Sequence, residues 1–299
     1  MQGNGQRRPG MSGHQLAGTG AMSVAVILPA HEEMDWIGPC LDSVLASTGA
    51  LPAARDIIVV ANACTDGTAA VARERTAAAA ARGWTLTVIE TDRPGKLAAL
   101  NLAEAQTGAR LRVYLDADVV VSAPLMAALC AALDTDAPRY ASGTPVIPVP
   151  RSRVSRVYGR FWQTLPFLTQ DAPGFGLFAV NAAGRARWAA FPDIISDDTF
   201  VRLQFAPSER MRLEQTYLWP LVEGFAPLVR VRRRQNRGVT EIAERFPGLM
   251  ENNSPASPRG MGVARRALRD PIGFCVYAGV ALTVRTPIFA RKAEWDRGR

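Results

Sequence analysis

The residues most able to do chemistry are carboxylates in pairs. Asp116-Ala117-Asp118 follows an apolar run, and Asp197-Asp198 opens a later amphipathic stretch. Two carboxylates two positions apart, where a chain turns out of a sheet, present hard oxygen ligands. Mg²⁺ or Mn²⁺ takes such ligands and keeps coordination sites for phosphate oxygens. A D-x-D alone is more often a polar turn, and Asp134-Thr135-Asp136, after a helix and before Ala137-Pro138, reads as a loop. The first pair gains weight from its company. Pro29-Ala30-His31-Glu32-Glu33 follows one apolar run, and Ala61-Asn62-Ala63-Cys64-Thr65-Asp66-Gly67-Thr68 follows another. Arg93-Pro94-Gly95-Lys96 precedes a helical stretch that reaches Asn101. A lysine at a helix start can hold a phosphate that the helix end also favours.

Placing these groups requires a particular scaffold. Val24–Leu28, Asp56–Val60, Thr85–Ile89 and Leu111–Leu115 are short continuous apolar runs and read as buried strands. Between them, helical patterns are predicted near Met34–Ala46, from Asp66 to about Ala81, and over Lys96–Ala105. Alternating strands and helices with strands apolar on both faces imply a parallel sheet covered on both sides. Ligands of such sheets bind beyond the carboxyl ends of the strands, where each polar motif stands. After residue 135 the rhythm changes. The pattern predicts an extended segment over 139–149, a helix over 153–165, a glycine-rich strand over 174–181, strands over 209–232 and a basic helix over 233–245. Trp162, Phe167, Phe175, Trp188 and Phe191 are wide enough to stack on a ligand's ring, though most are expected in the core.

Composition narrows the class. The chain has 299 residues, 48% hydrophobic and 21% charged, which is neither disordered nor polytopic. Four scattered cysteines without a C-x-x-C pair argue against a zinc site or disulfide framework and fit a reducing compartment. The net charge is +8, and residues 254–299 hold nine basic and three acidic side chains. Only two lysines occur against 33 arginines, so arginine counts carry little information. No aromatic-basic module points to nucleic acid, and Pro29-Ala30-His31 stands where a dinucleotide-binding oxidoreductase needs its glycines. A phosphatase of the haloacid dehalogenase type would carry its D-x-D at the first strand, not the fourth. The expected organisation is a leader over 1–22 without a signal peptide's apolar region, and a domain over 23–247 with halves at 23–135 and 136–247. A basic and apolar tail follows over 248–299.

In order and spacing, four segments resemble the family 2 glycosyltransferases of the GT-A fold. They are Pro29–Glu33, Val60–Thr68, Gly95–Asn101 and Leu115–Asp118. A fifth match is Asp197-Asp198 with Arg202-Leu203, and a weaker sixth is Arg233-Arg234-Gln235-Asn236-Arg237, where Gly238 replaces the family's tryptophan. The resemblance implies an α/β GT-A fold with a mostly parallel sheet. It also implies an inverting transfer from a UDP-, GDP- or dTDP-sugar to an acceptor hydroxyl, with Mg²⁺ or Mn²⁺. Carried over by position, Pro29, Ala30, His31, Glu33, Asn62, Lys96, Asp116, Ala117, Arg234 and Arg237 would bind the donor. Asp116 and Asp118 would hold the metal. Asp198 would act as base, with Asp197 orienting it, and Arg233 would join the screening of the leaving diphosphate. The missing tryptophan favours single transfers over processive synthesis. The basic tail suits an anionic membrane surface and a lipid-linked acceptor, as in polysaccharide, glycolipid or cell-envelope synthesis, on the cytoplasmic face. The alternatives are an inactive scaffold of the same fold or a membrane-surface binding protein.

Overall fold

The computed structural model describes residues 21–169, 171–253 and 261–289. Most of the expected leader therefore lies outside the described residues, as do 254–260 and 290–299 of the tail. Met22 already packs on the core.

The first half alternates as its apolar runs dictate. β1 (Ser23–Ala30) is followed by α1 (Met34–Leu45), β2 (Ala54–Asn62), α2 (Thr68–Arg73), α3 (Thr76–Ala81), β3 (Thr85–Thr91), α4 (Lys96–Glu104) and β4 (Leu111–Leu115). Strands β3, β2, β1 and β4 lie side by side and parallel. Their side chains alternate between two cores. Val24, Val26 and Leu28 face one cluster with Ile37, Leu41 and Val44 of α1, while Ile27 faces the other with Leu97 and Leu100 of α4. The alanine-rich stretch expected as one helix is two. The Arg75 N–H bonds back only three residues, to Ala72 O, and the Thr76 hydroxyl bonds to Arg73 O at 2.8 Å, which ends the α-turn locally.

The part after β4 is mixed rather than parallel. It contains β5 (Val120–Val121), α5 (Leu125–Leu133), β6 (Tyr140–Val146), α6 (Arg153–Trp162), α7 (Pro166–Thr169), β7 (Leu177–Asn181), α8 (Ala182–Arg185), α9 (Asp197–Leu203) and β8 (Arg210–Leu218). The sheet order is β3-β2-β1-β4-β7-β6-β8-β5. β7 runs antiparallel to both β4 and β6, because its glycine-rich approach reaches the carboxyl end of β4 and then turns back, pairing Leu177 with Leu115.

α10 (Phe225–Arg245), α11 (Met261–Arg269) and α12 (Pro271–Thr283) complete the chain. The strands expected over 209–232 stop at Leu218, and α10 begins at Phe225 after Gly224 in the left-handed region. The alternation of Val229 and Val231 with arginines mimics a strand. Burial of Leu228, Val229, Gly238 and Ile242 shows a helix with one inner face. α12 packs on α6 and α10 through a third apolar cluster that includes Tyr158, Phe161, Trp162 and Val280.

Candidate active site

The chain leaves β1 toward β2 on one side and returns from β3 to β4 on the other. The carboxyl ends of β1 and β4 thus flank a topological switch point, where α/β sheets bind ligands. The β1 and β2 loops are lashed together there. His31 Nδ1 donates to Asn62 O at 2.8 Å, and Asn62 Nδ2 donates to Ala30 O at 2.7 Å. Glu32 Oε1 accepts from Thr65 N and Oγ1 at 2.6 and 2.7 Å. Asp66 accepts from Met34 N at 3.2 Å and from Thr68 N at 3.0 Å. Glu32 and Ala63 pay for this bracing with left-handed backbones, φ 55° and 47°.

Asp116 and Asp118 sit in a tight turn closed by Val119 N to Asp116 O at 3.1 Å. The glycine-rich segment fixes that turn. Asp116 N donates to Gly176 O at 2.8 Å, and Gly176 adopts φ 68° with the Val119 and Trp219 side chains where a Cβ would have to stand. The segment thus serves as close backbone packing under the D-x-D, while Phe175 faces a cavity. Tyr217 steadies it by donating to Phe175 O at 2.7 Å.

Lys96, the first residue of α4, joins two motifs distant in sequence. Its Nζ lies 2.8 Å from Asp116 Oδ1 and 2.9 Å from Asp197 Oδ2. Burial alone would lower the Lys96 ammonium; Asp116 and Asp197 outweigh it and hold it above its ordinary value. Asp198 differs. Burial and then the neighbouring Asp197 charge push its carboxyl up to about 6, against the attraction of Lys96 and the Thr199 N–H at 2.7 Å.

Two cavities meet at this knot. The larger, about 1090 Å³, carries Pro29 from β1, His31 and Glu33 from the loop after it, Asn62 from β2, and Asp116, Ala117 and Asp118 from the turn after β4. Arg230, Arg234 and Arg237 reach it from α10 at helical spacing i, i+4, i+7. The smaller, about 490 Å³, holds Asp198, which does not line the larger one. Lys96, Asp116, Asp197 and Arg234 line both.

Three residues expected at the donor are engaged in bonds within the protein, although Asn62 and Arg233 still line the larger cavity. Ala30 is buried, with its carbonyl bonded to Asn62. Asn62 is 2% exposed, and its amide ties Ala30 O to Gly95 N, so it braces loops more than it presents a reading edge. Arg233 donates from its guanidinium to the carbonyls of Thr283, Val284, Thr286 and Ile288, at and just beyond the end of α12. Trp219, which carries no motif in the sequence, stacks on Trp162 at 5.5 Å and on Phe175 at 5.6 Å to wall both cavities. Its place directly after β8 was hidden by the overlong strand reading. Trp188 and Phe191 belong to the core cluster beneath the sheet.

Among the described residues no three His, Cys, Asp or Glu side chains converge as a ready metal cage. Two aspartates on one turn suit instead an octahedral Mg²⁺ or Mn²⁺ whose remaining ligands come from substrate phosphates and water.

This crevice belongs to a glycosyltransferase. Residues 25–188 match the profile of Glycosyl transferase family 2, and the chain is a member of that family. Comparison with curated proteins gives no sequence match. Among solved structures, a mannosyltransferase from Pyrobaculum calidifontis in complex with GDP-Man and Mn²⁺ superposes with TM-score 0.56 at 20% identity, over 89% of this chain and 75% of that one. Mannosyl-3-phosphoglycerate synthase from Rubrobacter xylanophilus superposes with TM-score 0.51 at 20% identity, over 79% of each chain. The fold is the GT-A fold.

Proposed function

We propose that the protein transfers a sugar from a nucleoside-diphosphate donor to an acceptor hydroxyl, with inversion at the anomeric carbon. The observation that carries this reading is the Lys96–Asp116–Asp197 knot, where a nucleotide-sized cavity with carboxylates and arginines adjoins a second cavity containing Asp198. The donor would lie along the β1 and β4 ends. Asp116 and Asp118 would hold Mg²⁺ or Mn²⁺, in keeping with the Mn²⁺ of the Pyrobaculum enzyme. The ion's chemistry is to offset charge on the diphosphate as it departs. Arg234 and Arg237, fixed on α10, supply further positive charge to the same cavity. Asp198, raised toward neutrality, accepts the acceptor's proton as the hydroxyl attacks from the face opposite the leaving group. One base suffices for inversion. Asp197, tied to Lys96, keeps the start of α9 and hence Asp198 in place.

The test is thermal unfolding of the purified protein with UDP, GDP, dTDP and CDP, each with Mn²⁺ or with EDTA. A diphosphate at 100 times its dissociation constant adds about 2.7 kcal/mol of stability. The expected result is one metal-dependent shift, lost in Asp118→Asn. No shift with any diphosphate overturns the proposal.

A further inference from the structure

We propose that the α11–α12 pair is a docking element for an anionic lipid bilayer. α12 has no charged residue over its thirteen positions, yet only Gly273 and Val280 are buried. An apolar helix left on a surface normally has a partner. Its inner side packs on α6 and α10, while Ile272 (66% exposed), Cys275 and Leu282 (63%) follow one another at helical spacing on the outer side. Leu268 of α11 is 84% exposed, and Ile288 and Phe289 beyond α12 are also exposed. Such a concentration within one segment goes beyond the scattered apolar residues of an ordinary surface.

Charge names the partner. Arg265 and Arg269 before α12 and Arg285 after it are exposed. Asp270, the only acidic residue among the described positions of this segment, is bound by Arg160 at 2.9 and 2.7 Å. Apolar side chains between exposed arginines match an anionic headgroup layer over hydrocarbon. Spanning is not involved: thirteen residues rise about 20 Å against a hydrocarbon core of about 30 Å, and no described helix is long and apolar enough to cross a membrane. The inner side of the same pair supplies Val263, Arg266, Phe274 and Tyr277 to the cavity that holds Asp198. Where the glycosyl-transfer reading holds, docking therefore brings that cavity beside the membrane and suits an acceptor borne by a lipid.

The experiment is flotation of the full chain with phosphatidylcholine vesicles, with and without phosphatidylglycerol, at low and high salt. Binding to the mixed vesicles should exceed binding to phosphatidylcholine alone on the order of a hundredfold, from three arginines. The Leu268→Asp/Ile272→Asp variant should lose at least about tenfold on mixed vesicles, since exposed apolar area no longer enters the interface. Arg265→Gln/Arg269→Gln/Arg285→Gln should lose the preference for phosphatidylglycerol. No flotation, equal binding to both vesicles, or binding unchanged in the aspartate variant overturns the proposal. So does a light-scattering mass of two chains that falls to one in that variant, which would assign the face to a second copy. All variants are also tested for stabilisation by diphosphate and Mn²⁺. Flotation without stabilisation rejects the catalytic reading and leaves docking standing; stabilisation without flotation does the reverse.

Discussion

Lys96 carries more of the site than its single charge suggests. It sits between Asp116 and Asp197, which come from motifs far apart in sequence. Removing one partner leaves carboxylates that repel one another in a partly dry place. Lys96→Met should cost about 2–3 kcal/mol, discounted from the fully buried case for its residual exposure, and chemical denaturation measures it. Asp198 gives a prediction of the opposite sign. Its carboxyl is raised from 3.8 to about 6. Between those values the folded chain holds a proton the unfolded chain has released. Its stabilising contribution is therefore full below about pH 4 and is lost as pH rises through 6. Asp198→Asn should raise stability at neutral pH by about 1–3 kcal/mol while turnover falls about a thousandfold or more. With Asp198 intact, kcat/KM should climb tenfold per pH unit up to about 6 and then level. A flat profile across pH 5–7 would remove Asp198 as the base. Asp116, Asp118 and Lys96 were legible in the sequence because they stand just after strands, and Asp197 and Asp198 because they open a helical stretch. The roles of Asn62 and Arg233 were not, since only the fold shows that Asn62 is sealed between two loops and that Arg233 meets a helix end fifty residues away.

At the scale of elements, α10 is the surprise. Read as a strand running into a helix, it is one helix from Phe225 to Arg245, because its apolar residues are buried at helical and not alternating spacing. The parallel half was readable from continuous apolar runs; the antiparallel β7 was not, because strand direction depends on where the glycine-rich approach arrives. α10 presses on the loop before Asp198 at Gly238, where a Cβ would overlap the Ser196 hydroxyl. Ser196 directly precedes Asp197. Gly238→Val should thus push the start of α9 and lower kcat with little change in the apparent affinity for donor, whereas a merely destabilised enzyme would keep kcat per folded molecule. Initial rates normalised to the folded fraction decide between them.

The whole molecule holds two cavities, of about 1090 and 490 Å³, that share a wall including Lys96, Asp116, Asp197, Trp162, Trp219 and Arg234. The sequence announced the first through its motifs, but the second is built from aromatic residues of α6, the glycine-rich loop and the end of β8, together with α11 and α12. Such residues carry no periodic signature of a site; packing alone assembles them. The separation has a kinetic consequence. If, as proposed, each chamber takes one reactant, neither has to leave before the other enters, and no sugar needs to be parked on the protein between them. Double-reciprocal plots at several fixed acceptor concentrations should therefore intersect, and the spent diphosphate should compete with the donor but not with the acceptor. Parallel lines would mean that the enzyme passes the sugar through itself.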